Sequence, residues 1–254
     1  MTKRIITFIL VFVVLLAGIS LFSRKPREAA KPLPAIKGRI AIVLDDWGYN
    51  LNNLRAVKEI KYPLTLAVLP DLAYSRRVAD EFRARGFEVI LHLPMEPEEK
   101  LRLEKNTIRV SADQAQIARI LDQSLANIGR VSGISNHMGS KATSDPRTME
   151  IVFKELKKRR LYFLDSYVTA RSVGADLARK TGLKIYKRDV FLDNTNEREY
   201  IRQQVYKLRD KARTQGFAIG IGHDRKITLE VLREMMPGIA REGYRFVLLS
   251  ELQR

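Results

Sequence analysis

The sequence predicts an α/β protein, a distorted (β/α) barrel of seven or eight strand–helix units. Three observations carry that prediction. From residue 39 onward one phrase recurs: an apolar run, a polar loop, an amphipathic stretch and often a closing glycine. The apolar runs are nearly continuous rather than alternating, as in strands that helices cover on both faces. Polar residues able to do chemistry stand at the ends of several runs, where parallel sheets gather their loops on one face.

The strands are expected at 40–45, 64–69, 87–92, 131–136, 161–165, 183–191, 217–222 and 244–249, with helices near 51–60, 74–85, 112–128, 146–159, 172–181, 197–215 and 228–242. IAIVL opens the series, and EVILH, GISNH, LYFL and AIGIGH mark later strands. Gly86 closes the helix before the third strand, where a left-handed residue is wanted. Ser111 with Gln114 reads as a capping box opening the 112–128 helix. Asp145 before Pro146 reads as an N-cap with proline at the first helical position. Gly182, Gly216 and Gly243 repeat the glycine stop at later helix-to-strand joints.

Composition sets further bounds. The chain has 254 residues, 45% of them apolar, enough for one sizeable domain. It has no cysteine, which excludes disulfides and thiol chemistry. Residues 5–22 carry no charge and follow Lys3 and Arg4, as in a signal peptide or membrane anchor (1–22); an uncleaved anchor helix is the favoured form. Residues 23–38, with Pro26, Pro32 and Pro34 among basic residues, read as a linker to a 39–254 domain. The charges leave the orientation open, because Arg24, Lys25 and Arg27 outnumber Lys3 and Arg4 in front of the apolar stretch. The net charge is +17. Nucleic acid is not expected as a partner, because no helix-turn-helix, zinc-finger or RNP-type motif organises that charge. Solvated helix faces near an anionic membrane or envelope polymer account for it.

The chemistry is concentrated at strand ends. The chain has three histidines, and each closes an apolar run: His92, His137 and His223. The first strand delivers adjacent carboxylates, Asp45 and Asp46, and LYFL delivers Asp165. A lone histidine is usually structural, and a carboxylate pair is as often a cap plus a loop salt bridge. Five deliveries to one face favour a metal-dependent hydrolytic site, with one carboxylate binding a cation while its neighbour stays free as a base.

These residues resemble the polysaccharide deacetylase superfamily, in its divergent branch of bacterial envelope proteins. The resemblance runs from about Arg39 to the C-terminus and rests on VLDDWG, HLPMEP, SNHMGSKAT, FLDSYVTARSV, KRDVFLDN and AIGIGH, in that order. It implies a distorted (β/α) barrel with a divalent metal, zinc before iron(II), at the strand C-termini. Asp46, His92 and His137 would bind it, Asp45 would be the general base, and His223 the general acid or its partner. Asp165 would support the site from behind or face the substrate.

Two features depart from the family pattern. Glu96 stands four residues after His92, where a second histidine is usual, so that ligand has to come from another strand. The arginine–proline motif that orients the base is absent. Glu96 is then an outer partner or substrate contact, and Asn136 orients the loop around His137. Lys141 and Arg171 meet an anionic substrate or form structural salt bridges; Asp189 and Asp193 stand near a further strand end. Trp47 is a sugar platform or a core residue. The resemblance implies hydrolysis of an acyl group, N-acetyl above all, from an envelope saccharide, by a protein of the bacterial cell envelope on the periplasmic face, anchored in the inner membrane through its N-terminal segment or secreted. The alternative is a non-catalytic envelope protein of the same fold that binds metal or saccharide.

Overall fold

The computed structural model describes residues 36–252. The anchor segment at 1–22 and the linker as far as residue 35 lie outside the described residues. Among the described residues no helix is long and apolar enough to cross a membrane.

The strands are β1 (Gly38–Trp47), β2 (Thr65–Val68), β3 (Glu88–Met95), β4 (Gly133–Met138), β5 (Tyr162–Asp165), β6 (Ile185–Lys187), β7 (Val190–Phe191), β8 (Phe217–His223) and β9 (Tyr244–Val247). The helices are α1 (Leu54–Lys58), α2 (Ser75–Ala84), α3 (Gln114–Ile128), α4 (Pro146–Lys158), α5 (Gly174–Thr181), α6 (Arg198–Gln215) and α7 (Lys226–Arg241). All pairings between these strands are parallel, in the order β6-β5-β4-β3-β2-β1-β8-β7. β9 pairs with Gly38–Ala41 of β1, below the stretch of β1 that pairs with β2. The result is a curled parallel sheet with helices outside, which fits the distorted barrel the sequence predicts.

Where one strand was expected at 183–191, the chain makes two. The amide of Arg188 bonds to the Asp165 carbonyl on the β5 side, and the next amide, Asp189, bonds to the Ile219 carbonyl on the β8 side. The backbone thus steps across the seam of the barrel, and one strand cannot serve both edges. The expected Ser111 capping box is likewise displaced. Asp113 caps α3 by accepting from the Gln116 amide while the Gln116 side chain accepts from the Asp113 amide, each at 2.8 Å. Asp145 caps α4 as expected, accepting from the Thr148 amide at 2.7 Å with Pro146 at the first position.

Two apolar cores follow from the period of two along each strand. One lies between sheet and helices, around Trp47, Phe82, Phe153 and Phe163. The other fills the barrel interior with Ala41, Val43, Ile90, Tyr162, Leu164, Tyr186, Ile219 and Ile221. Gly133 makes the interior possible, since a Cβ there would lie 2.3 Å from the Tyr162 ring. Continuing the inward parity toward the strand C-termini gives Asp45, His92, His137 and His223. The inner core is therefore a floor beneath one polar cluster.

Candidate metal centre

Asp45 follows the inward parity of Ala41 and Val43, and Asp46 breaks it. The β1–β2 register advances from Leu44↔Leu66 to Trp47↔Val68, so β1 holds one extra residue there, a bulge. Asp46 adopts φ 67°, a left-handed conformation that costs a non-glycine residue about 1–2 kcal/mol. Bulge and left-handed turn together bring both carboxylates to the same end of the barrel, and such strain recurs at functional sites. Met138 and Gly139 also have positive φ and turn the chain sharply after His137.

Asp46, His92 and His137 each offer a ligand atom, and these atoms all lie within 4.8 Å of one another. Both imidazoles face one carboxylate oxygen: His92 Nε2 is 3.2 Å and His137 Nδ1 3.0 Å from Asp46 Oδ1. Neither is aligned to hydrogen-bond it, and Asp46 Oδ1 is buried without a hydrogen-bond partner among the described residues. Asp45 Oδ1 and His137 Nε2 are buried and unpartnered in the same sense. Buried polar atoms ordinarily find partners, so the orphaned Asp46 Oδ1, faced by two imidazole nitrogens, fits a cation's ligand. Two imidazole nitrogens and one carboxylate oxygen fit a divalent cation such as zinc. His92 is also held from behind, its Nδ1 lying 2.8 Å from Ser135 Oγ.

The electrostatics separate the two carboxylates. Burial pushes the Asp45 carboxyl up; the nearby His92 offsets part of this, and Asp46 adds to it. Asp46 is partly buried, but the adjoining His137 and His92 outweigh the desolvation and hold it far below the usual range. One carboxylate thus stays ionised while its neighbour keeps a raised affinity for a proton, the division of labour a ligand and a base require.

His223 comes from the end of β8. Its Nε2 is 3.9 Å from Asp46 Oδ2, and its Nδ1 is 2.9 Å from Asp193 Oδ1. Asp193 is fully buried, and its other oxygen accepts from the His223 amide at 2.9 Å and from Thr228 Oγ1 at 2.7 Å. Burial alone would lower the His223 pKa; the hydrogen bond and charge of Asp193 outweigh it, and the value is raised. Asp189 serves the seam instead, accepting from the Ile219 amide at 2.9 Å.

The remaining sequence candidates surround this cluster. Asn136 points outward and staples β4 to β5, accepting from the Ser166 amide at 2.9 Å and donating to the Met138 carbonyl at 2.8 Å. Asp165 accepts from Ser172 Oγ at 2.6 Å and from the Tyr167 amide at 2.8 Å. Glu96 turns away from the cluster, pairing with Lys141 at 2.7 Å and accepting from the Val110 amide at 2.8 Å. Arg171 pairs with Glu98. These pairs tie the long β3–α3 loop to neighbouring loops at the rim. Trp47 is fully buried in the outer core, its ring 4.8 Å from Phe82 in an edge contact.

Sequence reasoning missed Arg188. Its guanidinium donates to the Ser166 carbonyl at 2.6 Å and the Tyr167 carbonyl at 2.8 Å, and its charge acts on Asp165 and Asp45. The seam, in KRDVFLDN, thus supplies a half-buried cation whose charge acts on Asp165 before Asp45. Asp224 was missed too. It lies next to His223 and accepts from Asn53 Nδ2 at 2.9 Å, and burial raises its pKa to about 6. Nothing in the sequence marks either residue.

A family model described as divergent polysaccharide deacetylase matches residues 42–253. The Escherichia coli (strain K12) protein YibQ is 40% identical over 203 residues, which cover 80% of this chain and 64% of that protein. The chain thus spans under two-thirds of that relative's length. Among solved structures, the uncharacterized protein ATU2773 from Agrobacterium tumefaciens C58 superposes with a TM-score of 0.83 at 23% identity, covering 87% of this chain and 91% of that one. The catalytic domain of a peptidoglycan N-acetylglucosamine deacetylase from Eubacterium rectale gives 0.52 at 15% identity, covering 87% and 92%. BA3943 from Bacillus anthracis, described as a CE4 family pseudoenzyme, gives 0.51 at 14%, covering 85% and 65%. At these identities the structural likeness is one of fold.

Proposed function

Because the chain belongs to the divergent polysaccharide deacetylase family, we propose that it is a metal-dependent hydrolase removing acyl groups, N-acetyl first among them, from a saccharide of the bacterial cell envelope. The family and the fold support the saccharide; the substrate named for the Eubacterium rectale protein supports an N-acetylated one. The observation that carries the reading is the convergence of His92 and His137 on a single buried, unpartnered oxygen of Asp46.

In this reading Asp46, His92 and His137 hold the cation, with zinc the first candidate. A divalent cation there supplies Lewis acidity toward a carbonyl oxygen and lowers the pKa of water from 15.7 toward about 7. Asp45, raised by burial, accepts the proton from the attacking water. Arg188 adds positive charge to the surroundings of Asp165 and, more weakly, of that carboxylate. His223 presents Nε2 toward the cluster while Asp193 fixes Nδ1, so its proton is available to the departing amine. The buried inner core excludes water from beneath. The segment at 5–22 fits tethering at the periplasmic face of the inner membrane.

The test is acetate release from N-acetylglucosamine oligomers and peptidoglycan fragments by the zinc-loaded full chain. Release that Asp45→Asn abolishes, with metal content unchanged, supports the reading. Saccharide binding with no release by the wild type would favour the non-catalytic alternative.

A further inference from the structure

The floor of the barrel, opposite the metal centre, carries a pattern that catalysis does not use. Five successive helix-to-strand loops, those leading into β2, β3, β4, β5 and β6, each expose a cation there: Lys61, Arg85, Arg130, Arg160 and Lys184. Among the described residues none of the five forms an ion pair, and Lys184 donates to the Ser250 carbonyl at 3.2 Å beside the Tyr186 ring. The loops into β3, β4, β5 and β6 contain no acidic residue. Cations in the last helical turn, such as Arg83 and Lys157, complement the helix dipole. Arg85 stands at the C-cap of its helix and shares that role, whereas Lys61, Arg130, Arg160 and Lys184 follow the caps.

Arg160 gives an independent sign. It adopts φ 57°, at the helix stop where α5 and α6 use Gly182 and Gly216 at φ 67° and 80°. Glycine occupies such a position without a steric penalty, and an arginine does not. A strained backbone that glycine would relieve is kept where a charge is presented, which points to a use for the charge.

The surface between the cations is grooved and partly apolar. A groove of about 420 Å³ runs between Lys61 and Arg85 over Tyr62 and Phe87, with Lys58 and one carboxylate, Glu251, also on its wall. Another, about 350 Å³, lies between Arg160 and Lys184 over Leu161 and Leu183. The domain also begins at this end: the Lys37 amide bonds to the Gly243 carbonyl and β1 starts at Gly38. In sequence, 15 residues (23–37) separate that point from the uncharged, apolar stretch 5–22, a reach of at most about 50 Å.

We propose that this floor is a docking surface for an anionic phospholipid bilayer, leaving the metal centre facing away from the membrane. Positive charge meets lipid phosphates, and the grooves accept glycerol and the first carbons of the acyl chains. The surface is independent of whether the metal centre turns over substrate.

The experiment uses residues 36–254, which contain the whole sheet and both cores as one compact unit, because residues 5–22 would enter any bilayer. Co-sedimentation is measured with vesicles of phosphatidylcholine alone and of phosphatidylcholine mixed with phosphatidylglycerol. Binding is expected only to the mixed vesicles and should weaken with salt. Each removed cation should weaken it about 5-fold, so Lys61→Ser with Arg85→Ser and Lys184→Ser together should cost about 100-fold. The same number of charges removed from helix flanks, Arg77→Ser with Arg119→Ser and Lys207→Ser, should leave most binding intact. Arg160→Gly should raise Tm by about 2 °C while weakening vesicle binding. Equal binding to both vesicle types overturns the proposal. So does equal loss in the floor and flank variants, or displacement by duplex DNA at matched charge concentration.

Discussion

Replacing Asp193 with asparagine isolates what the second carboxylate at the end of the barrel does. Asp193 is fully buried and bonds His223 Nδ1 at 2.9 Å, the His223 amide at 2.9 Å and Thr228 Oγ1 at 2.7 Å. Asparagine keeps the size and one acceptor oxygen but removes the charge. A hydrogen bond to a charged group contributes about 1.5–3 kcal/mol. At 1.36 kcal/mol for each factor of ten, the His223 titration midpoint should fall by about 1–2 pH units. The protein should lose about 2 kcal/mol of stability, or about 4–8 °C in Tm. His223 is raised above its ordinary 6.5, so its contribution is fully present below that pH and is lost as pH rises through the folded value. Asp193 is depressed below 3.8, so its contribution is present above that pH and is lost as pH falls through the folded value. The Tm gap between wild type and D193N should therefore be widest between about pH 4 and pH 6.5 and narrow in alkali. The assay is imidazole ¹⁵N NMR, tractable because the chain has three histidines. A His223 midpoint unchanged or raised in D193N refutes the assigned role.

Other outcomes follow from the same geometry. Asp45→Asn should leave metal stoichiometry unchanged by elemental analysis and lower the deacetylation rate by at least about 100-fold, the scale of general acid–base catalysis. Zinc at about 100 times its dissociation constant should raise stability by about 2.7 kcal/mol, seen as a Tm rise that a chelator reverses and that Asp46→Ala abolishes. Gly133→Ala should cost about 1–3 kcal/mol by chemical denaturation, because its Cβ would lie 2.3 Å from a buried tyrosine ring that has nowhere to go.

Much of the fold was legible because parallel strands buried on both faces leave a simple signal: continuous apolar runs ending in polar residues. Asp45, Asp46, His92, His137 and His223 stand where that signal points, and the structure brings them together. What escaped was geometry without a local signature. The split at Arg188–Asp189 reflects a backbone serving two sheet edges, which no residue pattern in 183–191 announces. Arg188 reaches the Ser166 and Tyr167 carbonyls only because that step occurs at the seam. The left-handed turn at Asp46 is equally silent in sequence, since aspartate gives no sign of positive φ as glycine would. Glu96 showed the converse, its place four residues after His92 suggesting the site while its side chain stitches the β3–α3 loop to Lys141 and Val110.

The central claim is that one divalent cation sits among Asp46, His92 and His137. Anomalous X-ray scattering at the zinc edge, from crystals grown with zinc, tests it directly. The account predicts a single strong peak at about 2.0–2.2 Å from an oxygen of Asp46 and one nitrogen each of His92 and His137. A well-ordered cluster with no anomalous peak, or a peak bound without one of these three side chains, contradicts it.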